Sequence, residues 1–154
     1  MLWAVAPASA QDASFATRSL TPESALKAAQ AALKKCRDDG YQVAVAIVDR
    51  GGLVQVLLRD RYAGPHTPRM ATDKAWSAVT FRTNTVDLDR VTRPGMPQHG
   101  IRFRPRVAAV AGGMMIEGAG ALLGGIGVSG APGGDLDDVC AAAGIAAIRD
   151  SIEF

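Results

Sequence analysis

The stretch Val43-Ala44-Val45-Ala46-Ile47-Val48-Asp49, followed by Arg50-Gly51-Gly52 and then Leu53-Val54-Gln55-Val56-Leu57-Leu58, decides how this chain folds. Two β-prone runs split by a glycine-bearing turn read as a hairpin. In the first run Val43, Val45 and Ile47 line one face, and Ala44, Ala46 and Val48 the other. Both faces are apolar, so this strand must be covered on both sides rather than left half in water.

Reading outward gives the covering elements. Upstream, Thr21-Pro22-Glu23 reads as a helix start: Thr21 can cap, Pro22 suits the first helical position, and Glu23 favours the positive end of the dipole. Leu26, Ala29, Leu33 and Cys36 follow at helical spacing, and Asp38-Asp39-Gly40 ends the run with a glycine able to turn left-handed. Downstream, a polar bridge from Arg59 to His66 leads to a second helix from about Thr67 to Arg82. Residues 83–106 contain Pro94, Gly95, Pro97, Gly100 and Pro105, and read as a long irregular connection. Such a connection inside a compact domain is uncommon and usually functional or mobile. Short strands are expected at Val107–Ala111, Met114–Glu117 and Ala121–Val128, then a helix from about Asp135 to Ser151 striped by Leu136, Val139, Cys140, Ala143 and Ala147. The expected fold is an α/β domain of α+β type in the order α-β-β-α-β-β-β-α. Its sheet should have about five largely antiparallel strands with helices packed on its faces.

With 154 residues, 48% apolar and 21% charged, the chain fits one soluble domain, placed at residues 11–154. A net charge of +2 gives no reason to expect a nucleic-acid partner, and no run is long enough to span a membrane. Arg90, Arg93, Arg102, Arg104 and Arg106 do cluster, either as an anion-holding group or as a solvated loop. Cys36 and Cys140 lie in helical segments and fit no zinc spacing; core packing is the expectation, with a disulfide the alternative in an exported protein. Residues 1–10 resemble the tail of a signal peptide, with Leu2 to Pro7 apolar and Ala8-Ser9-Ala10 before a cleavage point; the other reading is a disordered arm. The expected location is periplasmic or secreted, and cytoplasmic if that segment is no signal.

Gly125-Ile126-Gly127-Val128-Ser129-Gly130 matches the dinucleotide string GxGxxG in letters only. Its glycines fall inside a strand, and Pro132 with two more glycines separates them from the helix that should receive a pyrophosphate. A nucleotide is therefore not expected; the glycines should instead admit close backbone approach by a second subunit or a flat ligand. Ser129 lacks the glycine two places on that a nucleophile elbow needs. The two histidines, His66 and His99, both sit in loops beside glycines and arginines, and imidazole is a natural donor to haem iron. Zinc would need a third close ligand that no spacing supplies. Lys74 shares a helix side with Met70 and Phe81, as a buried functional lysine or a solvated one. Glu117 is a general base or a solvent-facing turn residue.

Several strings together resemble the GlcG/HbpS-like family of haem-binding or haem-degrading domains. They are Val45 to Asp49 with Gly51-Gly52; Arg59-Asp60-Arg61-Tyr62-Ala63-Gly64-Pro65-His66-Thr67; Lys74-Ala75-Trp76-Ser77-Ala78; Phe81 to Thr85; Gly112-Gly113; and Gly124 to Gly130 with the helix to Cys140. The resemblance spans roughly residues 20 to 150. It implies an antiparallel sheet with helices on its faces, a homo-oligomer, and a haem or other tetrapyrrole ligand. His66 is then the first axial candidate and His99 the second, as haem-iron ligands only. Asp87 and Asp89 are misspaced for the carboxylate-x-x-carboxylate iron site of some secreted relatives.

Haem binding needs an axial donor, an apolar slot and cations for the propionates. The histidines offer the first; Trp76, Phe81, Met96, Ile101 and Phe103 the second; Arg102 and Arg104 the third. The leading expectation is an exported haem- or tetrapyrrole-binding protein acting in uptake, sensing or degradation, with Lys74 near the ligand. One alternative is an enzyme for a small carboxylate or hydroxy acid, with Arg102 or Arg104 as clamp and His66 or His99 as base. Another is a structural oligomer module without ligand.

Overall fold

The computed structural model describes residues 13–153, so the expected signal-peptide remnant lies outside the described residues. Helix α1 (Pro22–Asp38) opens as its letters suggest, with Thr21 Oγ1 accepting from the Ser24 amide at 3.2 Å. Gly40 closes it at φ +87°, and the chain enters β1 (Ala44–Asp49), which turns through Gly52 into β2 (Val54–Arg59). Next come α2 (Thr67–Phe81), α3 (Thr85–Val91) and a 3-10 turn at His99–Phe103. Strands β3 (Gly113–Gly118) and β4 (Ala121–Ser129) and helix α4 (Gly134–Ile152) complete the chain.

The described sheet has four strands in the order β2-β1-β4-β3, every neighbour antiparallel. β1 lies in the middle, paired on one side with β2 (Val45 opposite Leu58) and on the other with β4 (Val45 opposite Val128). As its two apolar faces require, Val43, Val45 and Ile47 pack with α1 and α4, while Ala44, Ala46 and Val48 pack with Ala71, Ala75 and Val79 of α2.

The fifth strand, expected at Val107–Ala111, is not formed. Its backbone is recruited by side chains: the Ala108 amide donates to Ser77 Oγ at 2.9 Å, and Gly112 donates to Asp138 Oδ1 at 2.7 Å. The side of β3 facing away from β4 is also taken, because the amides of Gly113 and Met115 donate to Thr85 Oγ1 (2.8 Å) and Asn84 Oδ1 (3.0 Å). Helix α3 thus covers the edge on which another strand would have paired. The 83–106 connection is correspondingly less irregular than expected. Pro94, Pro97 and Pro105 all fall outside its helix and its 3-10 turn, so they punctuate it without preventing either.

Cys36 and Cys140 form a disulfide with Cα atoms 5.6 Å apart, which corrects the expectation of unpaired core thiols. Both are fully buried between α1 and α4, so the core reading and the disulfide reading describe one place. Helical periodicity marked both positions as inward-facing but carried no information on which inward residue would meet which.

The two faces of the sheet differ in bulk. Valines and isoleucines fill the α1/α4 side, whereas α2 lies almost directly on backbone. A Cβ at Gly127 would collide with the Ala71 carbonyl, one at Gly125 would meet the Ala75 carbonyl at 2.8 Å, and one at Gly113 the Lys74 carbonyl at 2.5 Å. The close approach expected at these glycines is therefore made by the chain's own helix, not by a second subunit or a flat ligand.

Candidate functional site

The connection between α3 and β3 is held by polar contacts rather than by apolar bulk. Asp89 accepts from Arg93 Nη2 at 2.7 Å and from Arg102 Nη2 at 2.9 Å, which ties the end of α3 to the 3-10 turn. Hydrogen bonding by Arg93, with help from Arg102, keeps the Asp89 carboxyl below its ordinary range against the cost of desolvation. Thr92, fully buried at the C-cap of α3, donates its hydroxyl to the Leu88 carbonyl (2.6 Å) and accepts from Arg102 Nη2 (3.0 Å).

The carbonyl of Thr92 lies 2.9 Å from His99 Nδ1. A carbonyl can only accept, so Nδ1 is the donor, and in the neutral ring the lone pair then lies on Nε2. The ring stands edge-on to Phe103 with centroids 5.0 Å apart. Beside it the turn bounds an open hollow of about 530 Å³ walled by Pro97, Gln98, Gly100, Ile101, Phe103 and Arg104.

The arginine cluster separates by partner. Arg90 pairs with Asp87, Arg93 and Arg102 with Asp89, and Arg106 with Asp73 while lying 4.6 Å over the Trp76 ring. Arg104 makes no ion pair among the described residues and stands exposed on the wall of the hollow. Arg102, expected as a propionate partner, is instead spent on holding the loop.

The other expected residues lie elsewhere. His66 is exposed at the N-cap of α2, its ring folded over Gly64, and it is not part of the hollow's wall. Trp76 packs on Gly52 and under Arg106, and Glu117 is exposed on β3, as the solvent-facing reading had it. Among the apolar candidates Ile101 and Phe103 line the hollow, while Met96 is exposed beyond the wall.

Lys74 is 3% exposed, beneath α2. Its ammonium donates to the Val128 carbonyl (2.9 Å) and to Asp137 Oδ2 (2.8 Å), and Asp137 Oδ1 accepts from the Ala131 amide (3.0 Å). Burial pushes the Asp137 carboxyl up, with Lys74 opposing it, and burial likewise raises Asp138. This cluster pins the ends of β4 and α4 to α2. Sequence reasoning missed Asp137 and Asp138: acids at the start of a helix, as Asp135 and Asp137 are, need no explanation beyond the dipole. Their one legible signal was a buried lysine in need of a partner.

With this geometry in view, comparison with known proteins is informative. Residues 20–146 match the model of a family described as haem degrading protein HbpS-like. The crystal structure of a double mutant of HbpS from Streptomyces reticuli is 39% identical, covers 93% of this chain and 97% of its own, and superposes with a TM-score of 0.82. A crystal structure described as a PduOC:haem complex is 31% identical over 84% of this chain and 95% of its own, with a TM-score of 0.80. The corrinoid adenosyltransferase PduO of Salmonella typhimurium is 33% identical over 103 residues, 66% of this chain. That match spans only 31% of the adenosyltransferase.

Proposed function

The chain belongs to the HbpS-like haem-degrading family, and from that premise we propose that it binds haem or a closely related tetrapyrrole in the hollow beside His99. One observation carries the reading: the hydrogen bond from His99 Nδ1 to the Thr92 carbonyl, which leaves Nε2 as the ring nitrogen available to a ligand. Metal-binding imidazoles are held in this way, with the far nitrogen fixed on a carbonyl so that tautomer and ring direction are set.

The residues present fit the group. A hollow of about 530 Å³ lies within the usual range for ligand sites, roughly 300–1,000 Å³. Pro97, Ile101 and Phe103 offer apolar walls, and Arg104 is the cation left for a propionate. Neither histidine is among the residues that wall the hollow, but His99 stands between Gln98 and Gly100, which are, and is the first axial candidate; His66, exposed at the N-cap of α2, is the second. Haem, when bound, supplies a redox-active iron. The chain's own part is to hold the ring nitrogen, offer an apolar surface to the macrocycle and neutralise a carboxylate. The hollow is wide open, so a second copy of the chain closing over it is part of the proposal. Export is part of it too, and the Cys36–Cys140 disulfide supports that, since such bonds persist in oxidising compartments.

Haem titration followed by absorption spectroscopy tests the site. The native chain should give a saturable Soret shift that is lost in His99→Ala and kept in His66→Ala, with circular dichroism showing that both variants fold. An undiminished shift in His99→Ala overturns the assignment.

A further inference from the structure

A second hollow, of about 240 Å³, lies where β2 leaves the sheet, walled by Arg37, Gln42, Asp60, Arg61 and Tyr62. It shares no residue with the hollow beside His99. We propose that it is a binding site for a small oxyanion, a carboxylate or a phosphate monoester, held by the guanidinium groups of Arg37 and Arg61 and by the Gln42 amide.

The argument is an account of donors and acceptors. Asp60 is 1% exposed and is the only carboxylate in the wall. Its Oδ2 accepts from Arg37 Nε (2.7 Å), and its Oδ1 accepts from Arg37 Nη2 (2.9 Å) and from the Arg61 amide (2.9 Å). The carboxylate is therefore committed, and it fixes one guanidinium side-on and the backbone of the second arginine. Arg37 keeps its Nη1 edge unused. The Arg61 side chain makes no ion pair or hydrogen bond among the described residues. Gln42 Oε1 accepts from the Tyr62 amide at 3.4 Å, which directs its NH₂ group elsewhere. Two positive charges face one committed negative charge, and Arg37 Nη1, the Arg61 guanidinium and the Gln42 NH₂ group are left as donors.

Planar forks of N–H groups match the paired oxygens of carboxylate and phosphate. Asp60 supplies what an anion site needs besides charge, namely a guanidinium whose orientation is set before the ligand arrives. The ionised form of Asp60 is favoured by its contact with Arg37, so the arrangement persists through neutral pH. This inference does not rest on haem binding, and its test uses no haem.

Inorganic phosphate and malonate are titrated separately, at low salt, into the ¹⁵N-labelled chain. The expected result is saturable shifts of the Arg61 and Tyr62 amides and of the Gln42 side-chain NH₂. Affinity should fall about tenfold in Arg61→Gln, the loss expected for one charge-assisted hydrogen-bonding group, and should be unchanged in Arg149→Gln, an exposed control of equal charge change. Arg61 carries the test because Arg37→Gln would strand the buried Asp60 and unfold part of the chain. Saturation by phosphate alone, malonate alone or both identifies the oxyanion class. Linear shifts spread over the surface arginines, or equal weakening by Arg149→Gln, overturn the proposal.

Discussion

Reducing the Cys36–Cys140 bond should remove a large part of the stability of this domain, and the size of the loss follows from where the bond sits. It joins α1 to α4 across a sequence separation of 104 residues, so it closes most of the chain into one loop. In the chain-entropy model a loop of that length restricts the unfolded state by about 4.7 kcal/mol at 25 °C. For a domain of this size each kcal/mol moves the melting midpoint by about 2–4 °C, which gives a fall of roughly 10–20 °C. With a urea slope of about 2 kcal/mol/M, the midpoint should drop by about 2.4 M. The slope itself should rise, because an uncrosslinked denatured chain exposes more surface. The assay is urea unfolding with and without reductant, thiol status being confirmed by mass, alongside the Cys36→Ala, Cys140→Ala double variant. That variant should match the reduced protein, apart from about 1 kcal/mol for the volume lost in a closed core, and should ignore reductant. Equal midpoints for oxidised and fully reduced chain would refute the reasoning, since the loop length leaves no route to a small effect unless the unfolded chain is already compact.

Two further outcomes are expected. Lys74→Met leaves the Asp137 carboxylate buried without its cation and should cost about 3–5 kcal/mol in urea unfolding, whereas adding Asp137→Leu should recover part of it; a double variant no better than the single one would sink the pairing argument. Asp60, held below its ordinary value of 3.8 chiefly by hydrogen bonding from Arg37, contributes stability that is complete above that value and is lost as pH falls through its folded pKa. Asp137 and Asp138, raised by burial, act in the opposite sense, so the difference between native chain and Asp60→Asn isolates the Asp60 effect: the urea midpoint of the variant should fall less steeply below about pH 4.

Much of the scaffold was legible in the letters because each element carried its own local cause. Thr21-Pro22-Glu23 names a helix start without help from the rest of the chain, and the two apolar faces of Val43–Val48 demand cover on both sides. What failed to show depended on residues distant in sequence. Val107–Ala111 has strand composition, yet Ser77 and Asp138 claim its neighbourhood's amides and Asn84 and Thr85 block the sheet edge. Arg102 and Arg104 look alike in a string, but only the fold shows that Asp89 takes one and leaves the other. Our proposal ranks the histidines on a long-range contact of the same kind: His66 has the better-matched surroundings in sequence, while His99 has a backbone partner that fixes its ring.

That partner arises from an unfinished helix. The last carbonyls of a helix have no intrahelical donor and must find one outside. Helix α3 stops at Val91, three residues before Pro94, and Thr92 is its C-cap. The Thr92 side chain turns back to the Leu88 carbonyl, and its own carbonyl points onward, where the 3-10 turn brings His99 Nδ1 within 2.9 Å. The Nδ1 donor thus completes a helix end, and Nε2 is left as the ring nitrogen not engaged there. A loop rich in proline and glycine can therefore present a fixed ring nitrogen: its freedom is removed by Asp89 and Thr92 at the end of one short helix and by Arg102 of the 3-10 turn. Breaking that support, as in Thr92→Val, leaves the backbone carbonyl in place but removes the hydroxyl that orders Arg102. In the haem titration proposed above, Thr92→Val is expected to give a saturable Soret shift at lower affinity than the native chain, and an unchanged affinity would overturn this account.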